Sequence, residues 1–211
     1  MTQLWIKICG ITKSEDASYL AKLGVDAIGL IFYRHSPRAI SCKQLPEILE
    51  NLSDSVKTVG LFVDPSRSEV NEVLDTGLID ILQFHGSEPE GFCSSFDKPY
   101  MKAIHVKDKM PQAEVLDKYS SAKFLLLDTY NEKESGGTGE KFDWSIAKRI
   151  IEGTDQRVVL AGGLNPANIE DAVRSINPFG VDVSSGVELS PGQKDLKKVW
   201  RFVREARSVR S

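Results

Sequence analysis

The sequence predicts an α/β protein, a single-domain (β/α)8 TIM barrel over residues 1–211. Short apolar runs rich in β-branched residues recur at even spacing, segments of helical period separate them, and 211 residues suffice for eight such units with little left over. The runs fall at 4–9, 26–32, 57–63, 79–85, 100–105, 123–128, 157–162 and 179–184. Strands that alternate with crossover helices must be parallel, because each helix returns the chain to the same starting end. An open doubly wound sheet is the rival. It would place a glycine-rich phosphate fingerprint after its first strand, and Cys9-Gly10-Ile11-Thr12 is not one.

The first run alternates Lys7 and Cys9 on one face with Ile6 and Ile8 on the other. Gly10 permits an immediate turn, and Thr12 with Glu15 spells a capping box for a helix whose apolar side carries Ala17, Leu20 and Ala21. Further boxes are read at Ser41 with Gln44, Ser66 with Glu69, and Ser87 with Glu90. Leu45, Ile48, Leu49 and Leu52 mark a helix after the second strand. Ile169, Ala172, Val173 and Ile176 mark another after the seventh, opened by Asn165 as a cap before Pro166. The basic tail from Lys194 to Arg210 reads as a last helix with Leu196, Val199, Trp200 and Val203 inward and Lys197, Arg201 and Arg204 solvated. Two strand-to-helix connections are long, 33–40 and 129–142. Both fall on the C-terminal face, where this fold builds active sites. The second contains Gly136-Gly137-Thr138-Gly139, which suits a lid or a disordered loop alike, and its Glu140-Lys141-Phe142 ending excludes a P-loop.

Composition narrows the function classes. The net charge of −3 comes from interspersed acids and bases, so no nucleic-acid surface is expected. No apolar run approaches the ~20 residues that cross a bilayer, and no charged n-region with an apolar h-region opens the chain. A cytoplasmic protein without a membrane partner is therefore expected. Three cysteines, Cys9, Cys42 and Cys93, without CxxC spacing argue against a disulfide framework or a zinc ribbon.

Strand ends carry the candidate chemistry. Cys9 ends the first strand, and Asp128 closes the apolar run Phe124-Leu125-Leu126-Leu127, where poor solvation favours a protonated carboxyl. Both would project over one mouth, with a buried structural thiol and a helix cap as the bland alternatives. The turns Ala161-Gly162-Gly163-Leu164-Asn165 and Val183-Ser184-Ser185-Gly186-Val187 follow strands seven and eight, where this fold holds phosphate on backbone N–H groups. Gly163, Ser184, Ser185 and Gly186 are thus binding candidates. Arg38 offers a fork for a carboxylate or phosphate. Gln83 shares a face with His85, and Asp182 with Ser184. His85 and Asp182 are substrate-binding candidates, a structural hydrogen bond inside the barrel being the alternative. His85 and His105 lie on neighbouring strands, but the sequence shows no third ligand, so no metal is expected.

Taken together, Lys7-Ile8-Cys9-Gly10-Ile11-Thr12, Gln83-Phe84-His85-Gly86, Leu126-Leu127-Asp128-Thr129, Gly136-Gly137-Thr138-Gly139 with Phe142-Asp143-Trp144, Ala161-Gly162-Gly163-Leu164-Asn165-Pro166 and Val181-Asp182-Val183-Ser184-Ser185-Gly186-Val187-Glu188 resemble the motif set of the phosphoribosylanthranilate isomerases. The match runs nearly end to end, in the family's order. The resemblance implies a cofactor-free Amadori rearrangement of N-(5-phospho-β-D-ribosyl)anthranilate in tryptophan biosynthesis. Asp128 would be the general acid that opens the ribose ring and Cys9 the general base at C2′. Arg38 would meet the anthranilate carboxylate, and the turns at Gly163 and at Ser184 to Gly186 the phosphate. The segment Arg34-His35-Ser36-Pro37 is of a type that varies within the family. A monomer is expected rather than a homodimer. Two other readings stay open: a different phosphosugar isomerase on the same barrel, and a phospho-ligand sensor without turnover.

Overall fold

The computed structural model describes residues 3–106, 116–128 and 144–210. Strands β1 (Trp5–Cys9), β2 (Ala27–Ile31), β3 (Lys57–Phe62), β4 (Ile81–Phe84), β5 (Tyr100–His105), β6 (Phe124–Asp128), β7 (Val158–Ala161) and β8 (Gly180–Val183) pair in parallel in chain order. The ring closes where β8 meets β1, so the expected barrel is observed. The glycine-rich connection at 129–142 lies outside the described residues.

Alternation along the strands sorts the apolar residues into two layers. Ala27, Val59, Ile81, Met101, Phe124, Leu126 and Val159 fill the barrel. Ile6, Ile8, Ile28, Leu30, Leu82, Leu125, Leu127 and Leu160 face outward and pack under the helices. Trp5, Phe124 and Phe179 plug the N-terminal end of the barrel, Trp5 stacking on Phe124 with ring centroids 5.1 Å apart. Each such buried side chain contributes roughly 1.5–3 kcal/mol, so the closed end is held by packing and the open end is left for polar groups.

Two of the capping boxes form, at Ser41 with Gln44 and at Ser66 with Glu69. The other two do not. The first helix runs Ser14–Leu23, while the Thr12 hydroxyl donates instead to the Gly192 carbonyl at 2.7 Å. The Ser87 N–H donates to Asp64 at 2.7 Å, and the short helix Glu90–Cys93 starts only after Pro89. In both cases a distant chain segment outcompetes the local cap. Asn165 caps a turn by accepting from the Ala167 N–H, and the helix Ile169–Ile176 begins just beyond it with its four expected apolar residues buried. In the last helix, Leu196–Ser208, the buried stripe is Val199, Phe202, Val203 and Ala206, while Leu196 and Trp200 are exposed. The periodicity is as expected, but its phase starts one turn later. An antiparallel pair not expected from the sequence, β9 (Glu188–Ser190) with β10 (Gln193–Lys194), sits between β8 and that helix. It turns Lys194 inward and takes it out of the last helix, to which the sequence assigned it. No helix among the described residues is long and apolar enough to cross a membrane.

Candidate active site

The polar layer at the open end starts on β1. Lys7 faces into the barrel, wholly buried, and its ammonium donates to Asp182 Oδ2 of β8 at 2.8 Å. Burial alone would push this lysine down, but the Asp182 carboxylate and the Cys9 sulfur outweigh it, and its pKa stands above the ordinary value. Cys9, two residues on, points the same way and is buried. Burial pushes its thiol up, against the opposing pull of the Lys7 and Lys194 ammonium groups.

The space for that thiol exists because its neighbour on β2 is Gly29. A Cβ there would stand 2.5 Å from the sulfur, so any side chain must displace it. Behind Cys9, the Lys194 ammonium donates to the Cys9 carbonyl at 2.6 Å and to Glu188 at 2.8 Å. Glu188 in turn accepts from Arg38 through Nε at 2.9 Å and Nη2 at 2.5 Å. Burial would raise the Glu188 carboxyl, but the bonds from Arg38 and Lys194 hold it below the usual range. Gly10, with φ of +77°, lets the backbone pass this arginine: a Cβ there would meet Arg38 Cδ at 2.6 Å.

Across the mouth, Asp128 at the end of β6 lies beside His105 of β5 and Ala161 of β7. Its Oδ2 is 3.1 Å from His85 Nε2, and His85 Nδ1 is 3.1 Å from the Gln83 side-chain amide. His105 also approaches the same carboxylate oxygen, at 3.9 Å. The third group missing from the sequence comparison of the two histidines is therefore Asp128. The turns after β7 and β8 pack backbone against backbone, so closely that a Cβ on Gly186 would fall 1.9 Å from the Leu164 carbonyl oxygen. A short 3-10 turn, Ser185–Val187, follows β8, and its first N–H groups have no partner within the turn.

One cavity of about 200 Å³ is lined by Cys9, Arg38, His85, Asp128, Gly163, Asp182, Ser184, Ser185 and Gly186, which are all the candidates raised from the sequence. Three polar atoms of residues lining it, Gln83 Oε1, Asp182 Oδ1 and Ser184 Oγ, are buried without a partner in the protein. Unpaired buried oxygens of this kind favour a polar ligand. A thiol, a carboxyl, an arginine fork and two glycine turns therefore share a space that fits one small anionic molecule. Gly29, Glu188 and Lys194 were not singled out from the sequence. A glycine facing the cysteine across two strands is the one signal that register alone would have exposed.

The family model for N-(5'-phosphoribosyl)anthranilate (PRA) isomerase matches residues 6–205 of the chain. The chain belongs to the PRA isomerase family. The N-(5'-phosphoribosyl)anthranilate isomerase of Pseudomonas fluorescens (strain Pf0-1) is 47% identical over 207 residues, 98% of this chain and 100% of that one. The crystal structure of the PRA isomerase from Thermotoga maritima superposes with a TM-score of 0.88 at 36% identity, covering 97% of this chain and 99% of that one. A PRA isomerase solved in complex with reduced 1-(o-carboxyphenylamino)-1-deoxyribulose 5-phosphate superposes with a TM-score of 0.86 at 34% identity, with coverage of 97% and 99%.

Proposed function

We propose that the chain isomerises N-(5-phospho-β-D-ribosyl)anthranilate to 1-(2-carboxyphenylamino)-1-deoxy-D-ribulose 5-phosphate, an Amadori step of tryptophan biosynthesis. The observation that carries the reading is the placement of Cys9 and Asp128 on one cavity, between Arg38 and the turns at Gly163 and Gly186. The phosphate sits on the backbone N–H groups of those turns, with Ser184 and Ser185 beside it. The anthranilate carboxylate meets Arg38, whose fork is held in place by Glu188.

Asp128 enters protonated and gives its proton to the ribose ring oxygen. The C1′–O bond breaks as the anilino nitrogen forms a double bond to C1′, giving a protonated imine. The C2′ hydrogen next to that cation is acidic. The Cys9 thiolate removes it, the electrons move into a C1′–C2′ double bond, and the imine nitrogen is neutralised as an enolamine. Gain of a proton at C1′ and loss of one from the 2′-hydroxyl then give the ketone. Burial makes the thiolate a strong base, and the ammonium of Lys7 makes it reachable. Hydroxyls of the opened sugar have Asp182 and His85 as partners within the cavity.

The substrate is fluorescent, so purified protein should quench it with time, and absence of turnover would reject the reading. Arg38→Ala should raise KM roughly 10–100-fold with a smaller change in kcat, since a charged hydrogen bond contributes about 1.5–3 kcal/mol. An isomerase acting on an aliphatic sugar phosphate would keep its KM in that variant. Gly29→Ala should retain the fold by circular dichroism yet lose on the order of 100-fold in kcat/KM, because it drives the sulfur from its position. Full activity in Gly29→Ala would mean that the thiol tolerates displacement and is not the base.

A further inference from the structure

The ends of β4, β5 and β6 hold a cluster that the proposed reaction uses only in part. One ligand atom each from His85, His105 and Asp128 lies within 4.8 Å of the other two. His85 Nε2 and His105 Nδ1 stand 3.1 Å and 3.9 Å from the same Asp128 oxygen. Tetrahedral zinc with bonds of ~2.0–2.1 Å sets its ligand atoms roughly 3.3–3.5 Å apart, so the carboxylate distances need shifts of about half an ångström and the widest separation in the cluster, at most 4.8 Å, a shift of up to roughly 1.5 Å. His105, half-exposed, has room to make them.

The far nitrogen of His105 is already engaged in the way that of a metal-bound histidine is, and that of His85 becomes so by one side-chain turn. His105 Nε2 is 3.0 Å from the His85 carbonyl oxygen, which only accepts, so Nε2 carries the hydrogen. In the neutral ring the lone pair is then on Nδ1, the nitrogen nearer the carboxylate. His85 Nδ1 faces the Gln83 amide, whose oxygen is buried and unpartnered. Turning that amide over lets Gln83 Oε1 accept from Nδ1–H, which frees the Nε2 lone pair toward Asp128. Two imidazoles and one carboxylate leave a fourth position open to the cavity. This donor set suits zinc and its transition-metal neighbours and is poor for magnesium or calcium, which prefer oxygen.

We propose that His85, His105 and Asp128 form an inhibitory site for a transition-metal dication of the zinc type. A metal on Asp128 occupies the oxygen that must carry the proton, so the chain cannot hold metal there and open the sugar ring at once. The inhibition rests on Asp128 being the proton donor. The binding does not.

The test is zinc titration of the chelator-stripped chain against a chromophoric chelator, with turnover measured at the same free zinc and Co2+ as a spectroscopic probe. One zinc per chain should bind and suppress turnover. His105→Gln, outside the proposed catalytic groups, should turn over without zinc as the parent does. It should bind zinc more weakly by at least the roughly 10–100-fold that even an outer-shell partner is worth, and resist inhibition. No zinc binding, equal binding by His105→Gln, or a sulfur-to-cobalt charge-transfer band that places the metal on Cys9 would each overturn the site. Zinc that binds through His105 yet leaves turnover intact would support the site but overturn the inhibition, and with it Asp128 as the proton donor.

Discussion

Asp128→Asn should lower kcat by about 10²- to 10⁴-fold while product analogues bind as tightly as before, and Cys9→Ala should do the same. Asparagine keeps the shape of the carboxyl and an acceptor for His85 Nε2, which lies 3.1 Å from Asp128 in the parent. It has no proton to give to the ring oxygen. Alanine at position 9 removes the base yet adds no bulk against Gly29, so the cavity keeps its form. In the proposed reading, ligand affinity comes mainly from the phosphate turns and Arg38, which neither substitution touches. Loss of turnover with retained binding is therefore the signature of a transition-state role. Steady-state rates combined with calorimetric titration of a reduced product analogue separate the two. Near-parental turnover in both variants would leave the proposed proton transfers without carriers.

Lys7→Met should destabilise the chain by about 3–5 kcal/mol, because it strands the Asp182 carboxylate inside the barrel. That is a large part of the roughly 5–15 kcal/mol by which domains are stable. Lys7 is wholly buried, and Asp182 Oδ1 already lacks a partner, so no other group stands ready to neutralise the charge. The double variant Lys7→Met, Asp182→Leu removes both charges and should recover much of the loss while remaining poorly active. Urea unfolding of the three proteins measures this directly. A single variant within about 1 kcal/mol of the parent would show that water reaches the pair, since solvated ion pairs contribute no more than that.

The barrel was legible because β-branched apolar runs and helical periods are local signals, and each of the eight barrel strands lies within an expected run. The nine candidate residues were legible because strand ends and small-residue turns mark one face of this fold. What escaped reading depends on partners far along the chain. Thr12 and Ser87 spell good caps, but the Gly192 carbonyl and Asp64 take their donors. Lys194 reads as the start of the last helix, but β9 and β10 fold it beneath Cys9 and the helix begins at Leu196. The apolar face of the last helix was misphased because Trp200 counts as hydrophobic in any periodicity, although Phe202 is the aromatic that packs. Glu188 stood within a recognised motif, yet only coordinates reveal that it holds Arg38.

The two bonds that complete the thiol's surroundings join opposite ends of the polypeptide: Lys7 to Asp182 across 175 positions and Lys194 to the Cys9 carbonyl across 185. During synthesis Lys7 and Cys9 emerge well before Asp182 and Lys194. A nascent or clipped chain lacking β8 and β10 therefore carries an ordinary cysteine, and the buried thiol flanked by two ammonium groups comes into being only when the ring shuts.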